Sequence, residues 1–155
     1  MNVLFLDVDG VLNSHKYLTS LYEKKKRRLE REEFFDPKCM IILKKIVLKF
    51  NLKIVITSSW KIADMCTLER VFKKYELDIL DKTKNYGDKR GREIREWLQD
   101  HNDVDNFVIL DDDFFSDYVG LENNLVQTSF SSNGGLNDSH ILLVEKILTR
   151  DRLNI

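Results

Sequence analysis

NVLFLDVDGVLN, residues 2–13, begins with an apolar run that is followed by two aspartates and a glycine. Its first five residues show no alternation of polar and apolar side chains, which predicts a strand over Asn2–Leu6 that is buried on both faces. Asp7, Asp9 and Gly10 then supply the residues of a polar turn. The segment therefore predicts the central strand of a parallel sheet, with carboxylates at its carboxyl end.

Beyond this segment, predicted strands and helices alternate along the chain. Apolar runs predict further strands at 52–56, 77–80, 107–110 and 125–128. Helical spacing of apolar residues predicts helices at 37–50, 61–75, 91–98 and 139–148. Such alternation favours a three-layer, Rossmann-like α/β fold, a parallel sheet with helices on both faces and right-handed crossovers. We expect residues 1–155 to form a single domain.

Residues 14–35, here called the flap, interrupt this alternation. The flap is polar and carries the basic run KKKRR at 24–28, followed by acids at 30, 32 and 33, which is typical of a solvated helix. About twenty residues are too few for a folded cap domain, so we expect a minimal cap or none, and an open site. In an alternative reading the basic run is a rim for a nucleic-acid backbone, with Lys16, Tyr17 and Tyr22 adding contacts.

The composition excludes several classes of protein. Lys and Arg total 25 and Asp and Glu total 26, so the net charge of -1 produces no general field that attracts nucleic acid or membrane. The two cysteines form no C-x-x-C pair that would suggest zinc or redox chemistry. Asp7 and Asp9 break the first apolar run, which argues against a signal peptide or a membrane span. We expect a soluble, intracellular and most simply cytoplasmic protein, whose oligomeric state these patterns do not indicate.

Carboxylates follow two of the predicted strands. Asp7 and Asp9 end the first strand, and Asp111, Asp112 and Asp113 end the strand at 107–110. Ligands bind beyond the carboxyl ends of the strands in an open parallel sheet, so these acids should meet. Converging carboxylates repel one another unless a divalent cation neutralises them. Oxygen-only ligands without a histidine or cysteine cluster favour Mg²⁺.

The spacing of Asp7 and Asp9 suits phosphoryl transfer. One carboxylate would attack phosphorus to form an aspartyl-phosphate, and the other would protonate the leaving oxygen and later activate water. Ser58 would donate a hydrogen bond to a phosphoryl oxygen, and Lys89 or Arg90 would neutralise its charge. The simpler alternatives are that Ser58 caps a helix and that the two basic residues are exposed charges.

Four motifs together resemble those of the haloacid dehalogenase superfamily: LFLDVDGVLN, IVITSSW, DKRGREIREWL and FVILDDD. With the late Gly-Leu of SSNGGL, the set is similar to the small domains of this superfamily found in RNA-repair proteins. The resemblance implies a Rossmann-like phosphatase in which Asp7 is the nucleophile and a metal ligand. It also implies that Asp9 is the general acid/base and offers its backbone carbonyl to the metal.

The resemblance implies further site residues in the other motifs. The metal ligands would be Asp7, Asp9, Asp112 and Asp111, with Asp113 as a second choice. The phosphate-binding residues would be Ser58, Ser59, Gly10, Arg90 and Lys89. The Arg-Gly pair of the third motif places Arg90 ahead of Lys89, and the Thr-Ser order of the second motif places Ser58 ahead of Ser59.

The expected substrate follows from the short flap. Resemblance to capless members of the superfamily implies a macromolecular substrate, such as a nucleic acid with a 3′- or 5′-phosphate end. A nucleotidase or other small-molecule phosphatase is the enzymatic alternative, and a phosphoacceptor or binding module without turnover is the non-enzymatic one. Asp9, two residues after Asp7, favours the phosphatase, because receiver-like modules place an acidic pair on the first strand and the phosphoacceptor on a later one.

Overall fold

A computed structural model describes residues 1–131 and 134–150; two residues of the SSNGGL motif, Ser132 and Asn133, and positions 151–155 of the predicted domain lie outside the described residues. A five-stranded parallel sheet with the order β3-β2-β1-β4-β5 forms its centre. The strands are β1 Asn2–Leu6, β2 Leu52–Ile56, β3 Ile79–Lys82, β4 Asn106–Asp111 and β5 Leu125–Gln127. The predicted α/β class and the central position of the first strand are confirmed.

Six α-helices accompany the sheet in the described part of the chain: α1 His15–Lys25, α2 Pro37–Phe50, α3 Trp60–Ala63, α4 Met65–Lys74, α5 Arg90–Gln99 and α6 Asp138–Thr149. Helix α2 begins where predicted, because the Asp36 side chain accepts a hydrogen bond from the Lys38 amide and Pro37 fits the first helical position. Within the described residues, no helix is long and apolar enough to span a bilayer.

Two predicted elements differ from the structure. The helix predicted over 61–75 is divided at Asp64, whose backbone (φ −118°, ψ 19°) leaves the helical region. Strand β3 begins two residues later than predicted, since the Leu77 amide instead donates to the Phe72 carbonyl and closes the end of α4. Glu76, at φ 58°, makes this turn.

The core lies on both faces of the sheet. Leu4 and Leu6 of β1 pack into a cluster with the apolar faces of α2, α4 and α6. Val3 and Phe5 point the opposite way and pack with α5 and the segment around Tyr118. Each fully buried apolar side chain contributes about 1.5–3 kcal/mol relative to an exposed one, so this double burial fixes β1 at the centre.

The register of the strands brings three strand ends together. Leu6 of β1 is paired with Ile56 of β2 on one side and with Leu110 of β4 on the other. The Asp7 amide donates to the Leu110 carbonyl at 2.9 Å, and the Thr57 amide donates to the Leu6 carbonyl at 3.0 Å. The residues that follow β1, β2 and β4 therefore start from one edge of the sheet.

The flap contains α1 and a short 3-10 turn. Helix α1 has no buried residue, in agreement with its predicted solvated character. The 3-10 turn spans Arg31–Phe34, and the buried Phe35 after it returns the chain to the core. The flap is thus anchored at its carboxyl end by aromatic packing.

Candidate active site

The carboxylates predicted at the strand ends converge around Asp7. Its side chain is buried, and ligand oxygens of Asp7, Asp111 and Asp112 lie within 4.8 Å of one another. These three residues are called the acid cluster below. Asp113 does not join it, since its side chain is exposed and accepts a hydrogen bond from the Phe114 amide.

Asp111 and Asp112 have different surroundings within the cluster. Asp111 is fully buried, and its Oδ2 accepts hydrogen bonds from Arg90 Nη1 and the Tyr118 hydroxyl, each at 2.8 Å. Asp112 is only partly buried, and one of its carboxylate oxygens lies within 4.8 Å of an oxygen of Asp7. Asp111 is thereby engaged by protein donors, whereas Asp112 stays partly open to solvent.

Gly10 makes room for Asp112. Its φ of 79° lies in the left-handed region, and a Cβ built on it would overlap the Asp112 carboxyl group. The Gly10 carbonyl accepts a hydrogen bond from Thr128 Oγ1 at 2.6 Å. The glycine of the first motif thus allows the first and fourth motifs to approach each other.

Arg90 is the basic residue that reaches the acids. It begins α5, is buried, and places Nη1 3.2 Å from Asp7 Oδ1 as well as against Asp111. Its guanidinium also lies 4.5 Å from the centre of the Phe115 ring. Burial alone would lower the pKa of Arg90, but Asp7 and Asp111 outweigh it and raise that pKa. Lys89, directly before it, has an exposed side chain.

The acid cluster carries more negative than positive charge. Burial raises the pKa of Asp7 well above 3.8, repulsion from Asp111 raises it further, and Arg90 opposes both effects. The pKa of Asp112 is also raised, first by burial and then by Asp111. Three carboxylates that share one guanidinium favour a further cation, and an all-oxygen set with one member open to solvent fits Mg²⁺.

The second motif offers three hydroxyls with different surroundings. Ser58 is buried, and its Oγ accepts a hydrogen bond at 3.2 Å from the amide of Trp60, the first residue of α3. The N-cap position of α3 is Ser59, whose side chain makes no capping bond. Ser59 is exposed. Thr57 Oγ1 is buried and has no hydrogen-bond partner among the described residues. Sequence reasoning missed Thr57, although it is the first polar residue after β2.

Asp9 has an exposed side chain that two neighbours hold in place. Its Oδ1 accepts a hydrogen bond from Asn13 Nδ2 at 3.0 Å, and its Oδ2 accepts one from Trp60 Nε1 at 3.1 Å. Asn13 is itself buried and accepts a hydrogen bond from the Gly10 amide. Sequence reasoning gave no role to Asn13 or Trp60, although both belong to the motifs that carried the resemblance.

The family model described as the HAD domain in Swiss Army Knife RNA repair proteins matches residues 3–141. The chain belongs to this family. The resemblance to the haloacid dehalogenase superfamily and to its RNA-repair members is therefore confirmed.

Among solved structures, a haloacid dehalogenase-like family hydrolase from Streptococcus pneumoniae is similar to this HAD domain. The two sequences are 14% identical, the TM-score is 0.47, and the match covers 99% of this chain and 98% of the other. No curated protein matches the chain.

The predicted site residues of this HAD domain differ in their surroundings. Those that the structure brings together around Asp7 are Gly10, Arg90, Asp111 and Asp112. Those with exposed side chains are Asp9, Ser59, Lys89 and Asp113, and Ser58 is buried next to the start of α3. The arrangement places the buried Asp7 carboxylate beside the guanidinium of Arg90. A second carboxylate, that of Asp9, lies two residues further along the chain and is held by hydrogen bonds from Asn13 and Trp60.

Proposed function

We propose that this HAD domain is a Mg²⁺-dependent phosphatase that works through an aspartyl-phosphate on Asp7. The observation that carries the proposal is the acid cluster itself, in which the buried Asp7 carboxylate faces Asp112 and lies 3.2 Å from Arg90. Asp7, Asp112 and the backbone carbonyl of Asp9 would hold Mg²⁺. The bound ion would neutralise the cluster and polarise the phosphoryl group.

The chain's own residues account for both half-reactions. An oxygen of Asp7 attacks phosphorus, the ester P–O bond breaks, and the leaving oxygen takes a proton from the Asp9 carboxyl. Asp9, now a carboxylate, accepts a proton from a water molecule that attacks the phosphoryl-aspartate, which releases phosphate and restores Asp7. Arg90 neutralises charge on the transferring group, and a hydroxyl of Thr57 or Ser58 donates to a phosphoryl oxygen.

Asp111 has a supporting role in this proposal. Its two bonds to Arg90 and Tyr118 leave it less free than Asp112 to coordinate a metal ion. Instead, it fixes the guanidinium beside Asp7. Asp113, with its exposed side chain, takes no part.

The substrate proposed is a nucleic acid with a 3′- or 5′-phosphate end. In this proposal residues 1–155 form one domain, and the flap is too small to close over the site as a cap would. A groove of about 590 Å³ opens on the flap, lined by Leu18, Thr19, Tyr22, Arg28, Leu29, Arg31 and Phe34. Aromatic and arginine side chains suit unstacked bases. The family's association with RNA repair favours the same substrate class.

Not every flap residue remains available for a nucleic acid. The Tyr17 hydroxyl donates to the carbonyls of Glu33 and Phe35, so it braces the flap. Lys25 and Arg27 are ion-paired with Glu33. The exposed Tyr22 is the aromatic residue of the flap that we expect to meet a base.

Phosphate release tests this function directly. Phosphate release by the wild type and by Asp7→Asn would be measured with and without Mg²⁺. The substrates would be 3′- and 5′-phosphorylated oligonucleotides, mononucleotides and an aryl phosphate. We expect release from oligonucleotides that requires Mg²⁺ and falls by about 10³-fold or more in Asp7→Asn. Asp113→Asn is the matched control, since it removes an exposed carboxylate near the cluster and should keep full activity.

The other outcomes are equally informative. Preference for mononucleotides would identify a nucleotidase, and release from the aryl phosphate alone would point to small-molecule substrates. No release from any compound, or full activity in Asp7→Asn, would contradict the phosphatase.

A further inference from the structure

The general acid/base of the proposed reaction is held by a tryptophan that nothing in the reaction itself requires. Trp60 is 3% exposed, yet its indole N–H reaches Asp9 Oδ2 at 3.1 Å. Asn13 holds the other oxygen at 3.0 Å. We propose that Trp60 is a positioning residue for Asp9 and that Arg31 of the flap keeps Trp60 in place; this rests on the proposed function.

Arg31 and two phenylalanines of the flap pack against the indole ring of Trp60. The Arg31 guanidinium lies 3.7 Å from the centre of the Trp60 ring, a cation–π contact. Arg31 also forms a 2.8 Å ion pair with Asp64, at the far end of α3. Phe34 and Phe35 meet the ring edge-on at 5.9 and 5.1 Å. The flap therefore contacts the catalytic machinery through one indole ring.

In the hydrogen bond between Trp60 and Asp9 the indole N–H donates and the carboxylate accepts, which suits the role of Asp9 in catalysis. Asp9 becomes a carboxylate when it gives its proton to the leaving oxygen, and an N–H donor stabilises the charged form more than the neutral one. The bond from Trp60 thus strengthens as the leaving group departs, which lowers the barrier of that step. It also prevents an exposed carboxylate from rotating away from the leaving oxygen.

A purely structural role of Trp60 makes a different prediction. Trp60→Phe keeps an aromatic ring against Arg31, Phe34 and Phe35 but removes the N–H. If the ring only packs, the variant loses some stability and its activity falls equally on all substrates. If the N–H positions Asp9, the loss depends on how much the leaving group needs a proton.

The leaving-group comparison separates these roles. With Mg²⁺ present, kcat and KM would be measured for an alkyl phosphate, whose alkoxide must be protonated, and for a nitrophenyl phosphate, whose phenolate leaves unaided. For Trp60→Phe we expect kcat/KM on the alkyl ester to fall about tenfold, as for loss of a hydrogen bond to a charged group. We expect kcat/KM on the nitrophenyl ester to change little, because kcat/KM covers the steps up to departure of the leaving group and not the hydrolysis of the aspartyl-phosphate that both esters share.

The chain contains a matched control, because it has two tryptophans and both donate to a carboxylate. Trp97 Nε1 donates to Asp81 Oδ2 at 2.6 Å, on the other face of the sheet. Trp97→Phe removes the same kind of bond without touching Asp9, so both esters should respond alike. Arg31→Gln should reproduce part of the Trp60→Phe pattern, whereas Arg70→Gln, which breaks one of the two ion pairs of Glu32 in the flap, should not.

The indole N–H resonances test the positioning without relying on turnover. We expect Asp9→Asn and Arg31→Gln to shift the Trp60 resonance and leave that of Trp97 in place. An active wild type whose Trp60→Phe variant loses kcat/KM equally on both esters, or on neither, would overturn the positioning role and leave the proposed function intact. A wild type inactive on both esters and on phosphorylated oligonucleotides would instead contradict the proposed function, and unshifted resonances would overturn the contact between the flap, Trp60 and Asp9.

Discussion

The two sides of the site are held by different forces. The acid cluster sits on strand ends whose positions are set by the sheet, and it concentrates repelling charges around one buried guanidinium. Asp9, on the other side, is held by side chains of α3 and the flap through aromatic and cation–π contacts. Backbone pairing fixes the first side, whereas the second depends on contacts between side chains of α3 and of the flap. We therefore expect loss of Arg90, the buried cation beside the acid cluster, to alter stability strongly, and changes near Asp9 to alter mainly catalysis.

Removing Arg90 should produce the largest effect on stability. Arg90→Ala leaves the fully buried Asp111 without its cation, and breaking a buried ion pair in this way costs about 3–5 kcal/mol. Urea denaturation without Mg²⁺ would measure the loss. Arg92→Ala, which breaks an exposed ion pair with Glu96 and a cation–π contact with Tyr86, should cost much less. Similar losses in the two variants would mean that the buried pair does not dominate the cluster.

Asp112→Asn should come next, and its effect should fall on catalysis. We expect about 100-fold less phosphate release, because the partly exposed carboxylate that faces Asp7 would no longer help to hold Mg²⁺. The metal-free protein should be as stable as the wild type or more stable, since one repelling charge is gone. Steady-state kinetics against Mg²⁺ concentration would check this, and an unchanged dependence would remove Asp112 from the ligand set.

The pH dependence of stability should reveal the cost of burying the charged Asp7 carboxylate, together with its repulsion by Asp111. The pKa of Asp7 is raised above 3.8 in the folded protein, so the folded state holds this proton more tightly than the unfolded state. Its stabilising contribution is full below about pH 3.8 and is lost as the pH rises through the folded pKa. With EDTA, the difference in unfolding free energy between wild type and Asp7→Asn should thus shift against the wild type as the pH rises. Mg²⁺ should reduce the shift; a pH-independent difference would contradict the raised pKa.

Removing the hydroxyl of Ser58 or of Thr57, directly after β2, should change stability the least. Ser58→Ala removes the hydrogen bond that its hydroxyl accepts from the Trp60 amide and should cost about 1 kcal/mol. Thr57→Val replaces a buried hydroxyl without a described partner and should be neutral or stabilising. Thermal denaturation would rank the variants, and phosphate release would show which hydroxyl meets the substrate. Greater destabilisation by Thr57→Val would indicate that its hydroxyl has a partner in the folded protein.

Much of the fold and of the acid cluster was predictable from sequence because the signals are local. The apolar run of β1 and the Asp36-Pro37 start of α2 set the bounds of those elements without help from distant residues. Carboxylates that directly follow parallel strands must meet at one edge, which places Asp7 near Asp111 and Asp112.

The other half of the site depends on contacts that no local pattern encodes. The bond between Trp60 and Asp9 joins residues 51 positions apart and requires a particular rotation of each side chain. The break at Asp64 coincides with its ion pair to Arg31, and the Tyr118 bond to Asp111 comes from an irregular segment after β4. Tertiary packing, rather than propensity, decides these features.

The most direct test of the account is to look for the covalent intermediate. Asp9→Asn, incubated with Mg²⁺ and a nitrophenyl phosphate, whose phenolate leaves without a proton, and then quenched in acid, would be examined by intact-mass and peptide-level mass spectrometry. We predict that one phosphoryl group accumulates on Asp7, because the variant retains the nucleophile but lacks the base that activates water. Phosphate release by Asp9→Asn at the wild-type rate, or a phosphoryl group on another residue, would contradict the assignment of Asp7 and Asp9.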